Sequence, residues 1–165
     1  MATRRVKEFL YGSGVRFATI THSPAYTAQQ TAEYVHIPGH SLAKTVIVWI
    51  DGHLAMAVVP ADKDVDFDAL ICHTGADEVR LAKESEFKDR FLGCQVGTVP
   101  PFGILFGIET FLDRQLTQED HIAFTAGTHT DVIVMDTSAY QRLVRPVIVQ
   151  IACEPVAYSQ HTWAI

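Results

Sequence analysis

Residues 43–59 read Ala43-Lys44-Thr45-Val46-Ile47-Val48-Trp49-Ile50-Asp51-Gly52-His53-Leu54-Ala55-Met56-Ala57-Val58-Val59. The apolar runs Ala43 to Ile50 and His53 to Val59 are separated only by Asp51-Gly52, a pair that takes the positive φ angles of a two-residue turn, so the stretch predicts an antiparallel hairpin. In an extended strand alternate residues share a face. Lys44 therefore lies with Leu42, Val46, Val48 and Ile50, all apolar. A cation on that face has two readings. At the strand end its long stem can carry the charge out to water; equally, it can project into a cavity and hold an anionic or carbonyl oxygen as a point charge.

Working outward, Val6, Phe9 and Leu10 recur at helical spacing before Gly12 and Gly14, which predicts a short amphipathic helix over residues 3–11. A strand over Arg16 to Thr21 follows. Thr27-Ala28-Gln29-Gln30 has the capping-box pattern and opens a helix to about His36, stopped by Pro38-Gly39. Asp64 or Asp66 can cap a helix through Ile71, and Ser85 another through Phe91, with Val79 to Leu81 a strand between them. Ile108 to Leu112, His121 to Thr125 and Val132 to Met135 read as strands, Ser138 to Leu143 as a helix, and Val147 to Ala152 as a last strand. Residues from Cys153 onward show no periodicity. Strands outnumber helices without strict alternation, and at least one hairpin is antiparallel. The expected class is therefore α/β of the α+β kind, a mixed sheet with peripheral helices, in one domain spanning 1–165.

Two segments between these elements are unusual. Gly97-Thr98-Val99-Pro100-Pro101-Phe102-Gly103 cannot continue a helix or a ladder, because its prolines lack amide hydrogens and its glycines weaken pairing. It is a shaped loop, either a rigid connector anchored by Phe102 or a wall that brings the Gly97, Thr98 and Val99 amides close to a ligand. Thr125-Ala126-Gly127-Thr128-His129 lies between two apolar strands. It serves either as a plain turn with a surface histidine, or as a site with the Gly127 and Thr128 amides aimed at a developing oxyanion and His129 as a polar positioning group.

The bulk properties narrow the function. With 165 residues, 48% of them hydrophobic, the chain can bury one substantial core. No apolar run approaches the ~18 residues of a membrane span, and Met1 to Arg5 contains no apolar signal region, so a cytosolic protein without membrane contact is expected. Cys72, Cys94 and Cys153 form no Cys-x-x-Cys pair, and Cys72, in an apolar helical stretch, reads as a packed thiol. The histidines include no His-Glu-x-x-His helix, so no metal and no cofactor is expected. A formal charge of −6 argues against a broad, non-specific grip on nucleic acid, though Arg4, Arg5 and Lys7, or Arg142 and Arg145, could form a local patch or a solvated helix face. There is no Gly-x-Ser-x-Gly elbow, paired-carboxylate motif or Walker loop. An enzyme built from these residues works by positioning and hydrogen-bond donation on an already reactive substrate.

Taken in order, Ala43-Lys44-Thr45, the Gly97-to-Gly103 loop and Phe124-Thr125-Ala126-Gly127-Thr128-His129 followed by Val132-Ile133-Val134-Met135 resemble the YbaK/prolyl-tRNA-editing family over about His22 to Ala152. That family includes freestanding deacylases and the editing insertion of bacterial prolyl-tRNA synthetases. The resemblance implies a curved, barrel-like mixed sheet surrounded by helices, and hydrolysis in trans of the ester joining a small amino acid to a mischarged tRNA. It assigns catalytic roles to Lys44, Gly127 and His129. It makes Tyr26, Thr27, Thr45, Gly97, Thr98, Val99, Pro100, Pro101, Phe102, Gly103, Thr125, Ala126 and Thr128 substrate-binding. Its implied partners are the acceptor end of a mischarged tRNA, prolyl tRNA among them, and an aminoacyl-tRNA synthetase. Relatives often carry Asn where this chain has Thr125, which bears on pocket polarity and amino-acid preference. A non-catalytic aminoacyl- or nucleotide-binding adaptor and an esterase for small activated acyl compounds are the competing readings.

Overall fold

The computed structural model of the chain describes residues 2–95 and 97–155. The hairpin forms as its sequence dictates. Strand β2 (Leu42–Ile50) pairs antiparallel with β3 (His53–Pro60) from Ala43↔Pro60 to Ile50↔His53. Asp51 at φ 43° and Gly52 at φ 93° make the turn. The Asp51 carboxylate accepts the amides of Asp77 and Glu78, bonds that hold it below the usual carboxylate range.

Around this hairpin lie β1 (Phe17–Thr21), β4 (Asp64–Val65), β5 (Val79–Leu81), β6 (Glu109–Asp113), β7 (His121–Thr125), β8 (Asp131–Asp136), β9 (Val147–Val149) and β10 (Ala152–Cys153). The main sheet runs β1-β8-β7-β2-β3-β6-β9, with β5 also paired to β2, while β4 and β10 form a separate ribbon. Three of its pairings are parallel, β2 with β7, β3 with β6 and β6 with β9, and the others antiparallel, so the sheet is mixed. Among the described residues the path from β1 to β9 is open, with no hydrogen-bonded pairing between its two end strands.

The helices are α1 (Ala2–Gly12), α2 (Ala28–Val35), α3 (Phe67–Thr74), α4 (Glu84–Phe87), α5 (Arg114–Thr117) and α6 (Thr137–Val144). Both faces of the hairpin are covered. Ala43, Ile47, Met56 and Val58 pack with Leu10 of α1, Phe102, Phe124 and Tyr140. Val46, Val48, Ala57 and Val59 pack with Leu70, Phe111 and Ile151. A third cluster, with Leu42, Ala123 and Val132, seats Ala32 and Val35 of α2. Phe102 meets Phe124 and Tyr140 edge-on with centroids 5.1 and 5.4 Å away, and its full burial is worth roughly 2–3 kcal/mol.

Several boundaries differ from the sequence expectation. Asp66 caps α3, which continues past Ile71 to Thr74 before Gly75 turns left-handed at φ 71°. Its one buried residue is Leu70, and Cys72 is exposed because, two residues further on, it lies about 200° round the helix from Leu70. Lys83, not Ser85, is the N-cap of α4, since the Glu86 carboxylate accepts the Lys83 amide, and the helix stops at Phe87 instead of Phe91. Thr27 caps α2 through the Gln30 amide, but the Gln30 side chain reaches back to Tyr26 N–H, one residue earlier than in a standard box. The strand expected over Val147 to Ala152 breaks after Val149, because buried Asp113 accepts the Ile151 and Ala152 amides on one oxygen and ends the ladder. Of the basic residues, Arg4 pairs with Glu8, while Arg5 lies over the Phe106 ring at 5.2 Å and donates to Leu105 O. Residues 156–165 lie outside the described ones, and among those described no helix is long and apolar enough to cross a membrane.

Candidate active site

Lys44 is 9% exposed, and its Nζ lies 3.3 Å from Asp64 Oδ1, itself on a side chain 16% exposed. Asp64 opens β4 and is held there by the β10 ribbon through Cys153. The ammonium is thus paired inside the fold instead of being carried out to water, and Lys44 is also one of the residues that bound a cavity. That cavity, a small one of about 30 Å³, is bounded by Ala25 to Ala28 and Thr31 at the start of α2, by Leu42 to Thr45 of β2, by Gly97 and Thr98, and by Thr125 and His129.

The expected residues Tyr26, Thr27, Lys44, Thr45, Gly97, Thr98, Thr125 and His129 therefore surround one hollow. The remainder stand behind it. Val99 lines a small adjoining lobe of about 20 Å³ whose other walls include Val46, Ile47, Leu81, Ala82 and Phe87, and which shares Thr45 and Gly97 with the first. Pro100 and Pro101 are buried, and Pro101 O accepts the Tyr140 hydroxyl at 2.5 Å. Phe102 is a core residue, and Gly103 is needed because a Cβ there would run into Thr110 Oγ1 and Ile108 O. Ala126 is buried, and Gly127 at φ 102° shapes the wall without lining it. Thr128 bonds Asp131 at 3.0 Å, away from the lining.

The Thr98 and Gly127 amides do not serve as free oxyanion donors. Gly127 N–H donates to Thr98 O at 2.8 Å and Thr98 N–H to Gln95 O at 3.1 Å. These bonds instead lock the two loops together, and Gln95 is their junction. Its amide donates to Gly127 O at 3.0 Å, its carbonyl also accepts the Thr98 hydroxyl at 2.6 Å, and its side-chain oxygen accepts the His129 amide at 2.7 Å. Sequence reasoning missed Gln95, Asp64 and Thr31, none of which stands out in composition or spacing.

His129 is fixed from both sides. Its Nδ1 lies 3.0 Å from Ala25 O, its carbonyl accepts Ala25 N–H at 3.1 Å, and its ring sits 4.8 Å from that of Tyr26. A carbonyl can only accept, so Nδ1 carries a proton and, in the neutral ring, Nε2 is left with its lone pair. The pocket hydroxyls of buried Thr31 and Thr98 donate to Thr27 O and Gln95 O, so their rotamers are set before any ligand arrives.

No cysteine lines the pocket. The Cys94 thiol is pushed up to about 11 by burial, and burial also raises that of Cys153. Among the described residues no three His, Cys, Asp or Glu side chains gather as a metal ion requires. A more open cleft at the other end of α2 contains Ile37, Pro38, Ser41 and Glu119. There the Ser41 hydroxyl, and then His40, hold the Glu119 carboxyl below its ordinary value.

The chain is similar to the multifunctional Ser/Thr-tRNA deacylase ProXp-y of Escherichia coli (strain K12), 28% identical over 154 residues that cover 88% of this chain and 90% of the relative. It is also similar to the proline–tRNA ligase of Thermosipho africanus (strain TCF52B), 27% identical over 77 residues, which make up 47% of this chain and 14% of the ligase. The crystal structure of a candidate trans-editing enzyme for prolyl tRNA synthetase has the same fold, with a TM-score of 0.78 at 19% identity over 92% of this chain and 97% of that one. The model of the aminoacyl-tRNA editing domain matches residues 22–143, most of the length, and the chain belongs to that family.

Proposed function

We propose that the protein is an aminoacyl-tRNA deacylase that acts in trans, hydrolysing the ester between a small amino acid and the terminal ribose of a mischarged tRNA. The observation that carries this reading is the meeting of Lys44, Gly97, Thr98 and His129 around one preformed hollow in a member of the aminoacyl-tRNA editing family. The similarity over nearly the whole of a named tRNA deacylase supports action as a separate protein. The stretch shared with proline–tRNA ligase makes the tRNA charged by that enzyme the first to test, and the ligase the first synthetase to test as a partner.

An aminoacyl ester is already activated, so the reaction needs no protein nucleophile. Water adds its oxygen to the carbonyl carbon, the carbonyl oxygen gains charge, the bond to the ribose oxygen breaks, and that oxygen leaves with a proton. His129 Nε2, with Nδ1 anchored on Ala25, accepts a hydrogen bond from the water or from the neighbouring ribose hydroxyl and orients it. Lys44 supplies a fixed positive charge for the negative oxygens near the terminal adenosine. The walls, pinned by Gln95 and the core aromatic Phe102, restrict the side chain that fits, which is how a second site supplies discrimination that a first cannot.

Single-turnover assays on a panel of tRNAs mischarged with alanine, serine and threonine test this. Release of free amino acid with at least one of them is expected. Saturable binding without release would instead establish the adaptor reading, and equal turnover of a minimal aminoacyl ester lacking tRNA the esterase one.

A further inference from the structure

Strand β2 has an open edge at its middle. Ala61 N–H donates to Leu42 O at 2.8 Å, so the backbone groups of the even-numbered residues of β2 face β3. Ser41 O accepts Ala123 N–H at 3.1 Å and Ile47 O accepts Ala82 N–H at 3.0 Å, so those of the odd-numbered residues face the opposite edge. On that edge β7 pairs only with Leu42 and Ala43, and β5 only with Val48 to Ile50. Thr45 falls in the gap. Its N–H and C=O point between the two strands, and among the described residues no strand lies opposite them. The gap coincides with the site, because Thr45 and Gly97 line both the polar hollow and the apolar lobe.

We propose that an L-aminoacyl group completes the sheet at this point, as a one-residue antiparallel bridge to Thr45. The inference rests on the deacylase reading and specifies what that site demands of its substrate. An aminoacyl ester carries an ammonium and a carbonyl on adjoining carbons, the same donor and acceptor that one residue of a strand presents. Its α-ammonium donates to Thr45 C=O, and its ester carbonyl accepts Thr45 N–H, the exchange that defines a hydrogen-bonded antiparallel pair.

Two consequences follow from the geometry. Thr45 N–H stays on the carbonyl oxygen as it gains charge, a role closed to the Thr98 and Gly127 amides because each already has an acceptor. Facing residues of an antiparallel pair also place their side chains on one face. The substrate side chain therefore lies on the face of Thr45 and Ile47, in the lobe walled by Leu81, Phe87 and Val99. A D-residue would turn its side chain to the face of Lys44 instead.

The test has two arms. In single-turnover assays with tRNA carrying L-alanine, D-alanine or N-acetyl-L-alanine, the D and N-acetyl forms are expected to react roughly 10- to 100-fold more slowly, since each loses a charge-assisted hydrogen bond or its register. Equal rates for the three overturn the bridge while leaving the deacylase reading intact. In the second arm, protein labelled with ¹⁵N-threonine is titrated with 3′-(L-alanylamino)-3′-deoxyadenosine, which has no ester to cleave. A downfield shift of the Thr45 amide proton, lost with the N-acetyl form, is expected. An unmoved Thr45 amide at saturation, or no binding, overturns the bridge. A shift without hydrolysis of any tRNA keeps the bridge and sinks the deacylase reading alone.

Discussion

Replacing Lys44 by Met and Asp64 by Asn separates a cation that serves the substrate from one that serves the fold. Two unit charges 3.3 Å apart attract by about 5 kcal/mol at an effective dielectric constant of about 20. Both side chains are withdrawn from water, at 9% and 16% exposure, and the loss of hydration offsets most of that attraction. Lys44→Met keeps much of the apolar stem and leaves the more exposed partner behind, so it should cost about 1–2 kcal/mol of folding stability. Asp64→Asn strands the deeper cation and should cost more, about 2–3 kcal/mol. The double variant should recover part of the sum, with a coupling of about 1–2 kcal/mol in a urea-denaturation cycle. Activity is expected to follow a different order. Single-turnover deacylation should fall by about 100-fold or more in Lys44→Met and in the double variant, the loss expected when the cation facing the substrate's negative oxygens is removed. In Asp64→Asn, which retains the ammonium, the loss should stay under about 10-fold. If Asp64→Asn lost as much activity as Lys44→Met, the ion pair would matter only as architecture and the reasoning would be refuted.

Three further outcomes are expected. Gly103→Ala should destabilise the protein by about 2–4 kcal/mol in urea denaturation, because the added Cβ collides with Thr110 and Ile108 and breaks the Gly103 N–H bond to Thr110 Oγ1. Gln95→Leu removes the acceptor of the His129 amide at an exposed position, so stability should change by less than about 1 kcal/mol while single-turnover deacylation drops about 10-fold; Gln95→Glu, which keeps an acceptor, should restore most of the rate. With iodoacetamide at pH 8, exposed Cys72 should be alkylated well before Cys94, and labelling of Cys94 should accelerate with pH up to about 11, as followed by peptide mass spectrometry.

Much of the fold was legible because local chemistry fixed it. Asp51-Gly52 determined the hairpin, Thr27 the start of α2, and the alternation of β2 put Lys44 on a buried face where it needs a reason. The prolines of the 97–103 loop announced a rigid connector, and Phe102 is its anchor. What stayed hidden depends on contacts between distant segments. Nothing near Val149 announces that Asp113 will take two amides and end the strand. A capping signal at Ser85 is outcompeted by the Glu86 carboxylate, which bonds both the Lys83 amide and the Arg80 guanidinium. In the site, Lys44, Thr98 and His129 were legible as anomalies, whereas Gln95 and Asp64 are ordinary polar residues until the loops meet. The gap at Thr45 was equally invisible, because it is made by where β7 and β5 stop.

The most direct test of the site is a crystal structure of the protein with a terminal adenosine bearing a non-hydrolysable 3′-alanylamide. The prediction is density in the hollow between Lys44 and His129, with the aminoacyl carbonyl within about 3.2 Å of Thr45 N. A ligand seated instead in the cleft of Ile37, Ser41 and Glu119, with the Lys44 hollow empty, would contradict it.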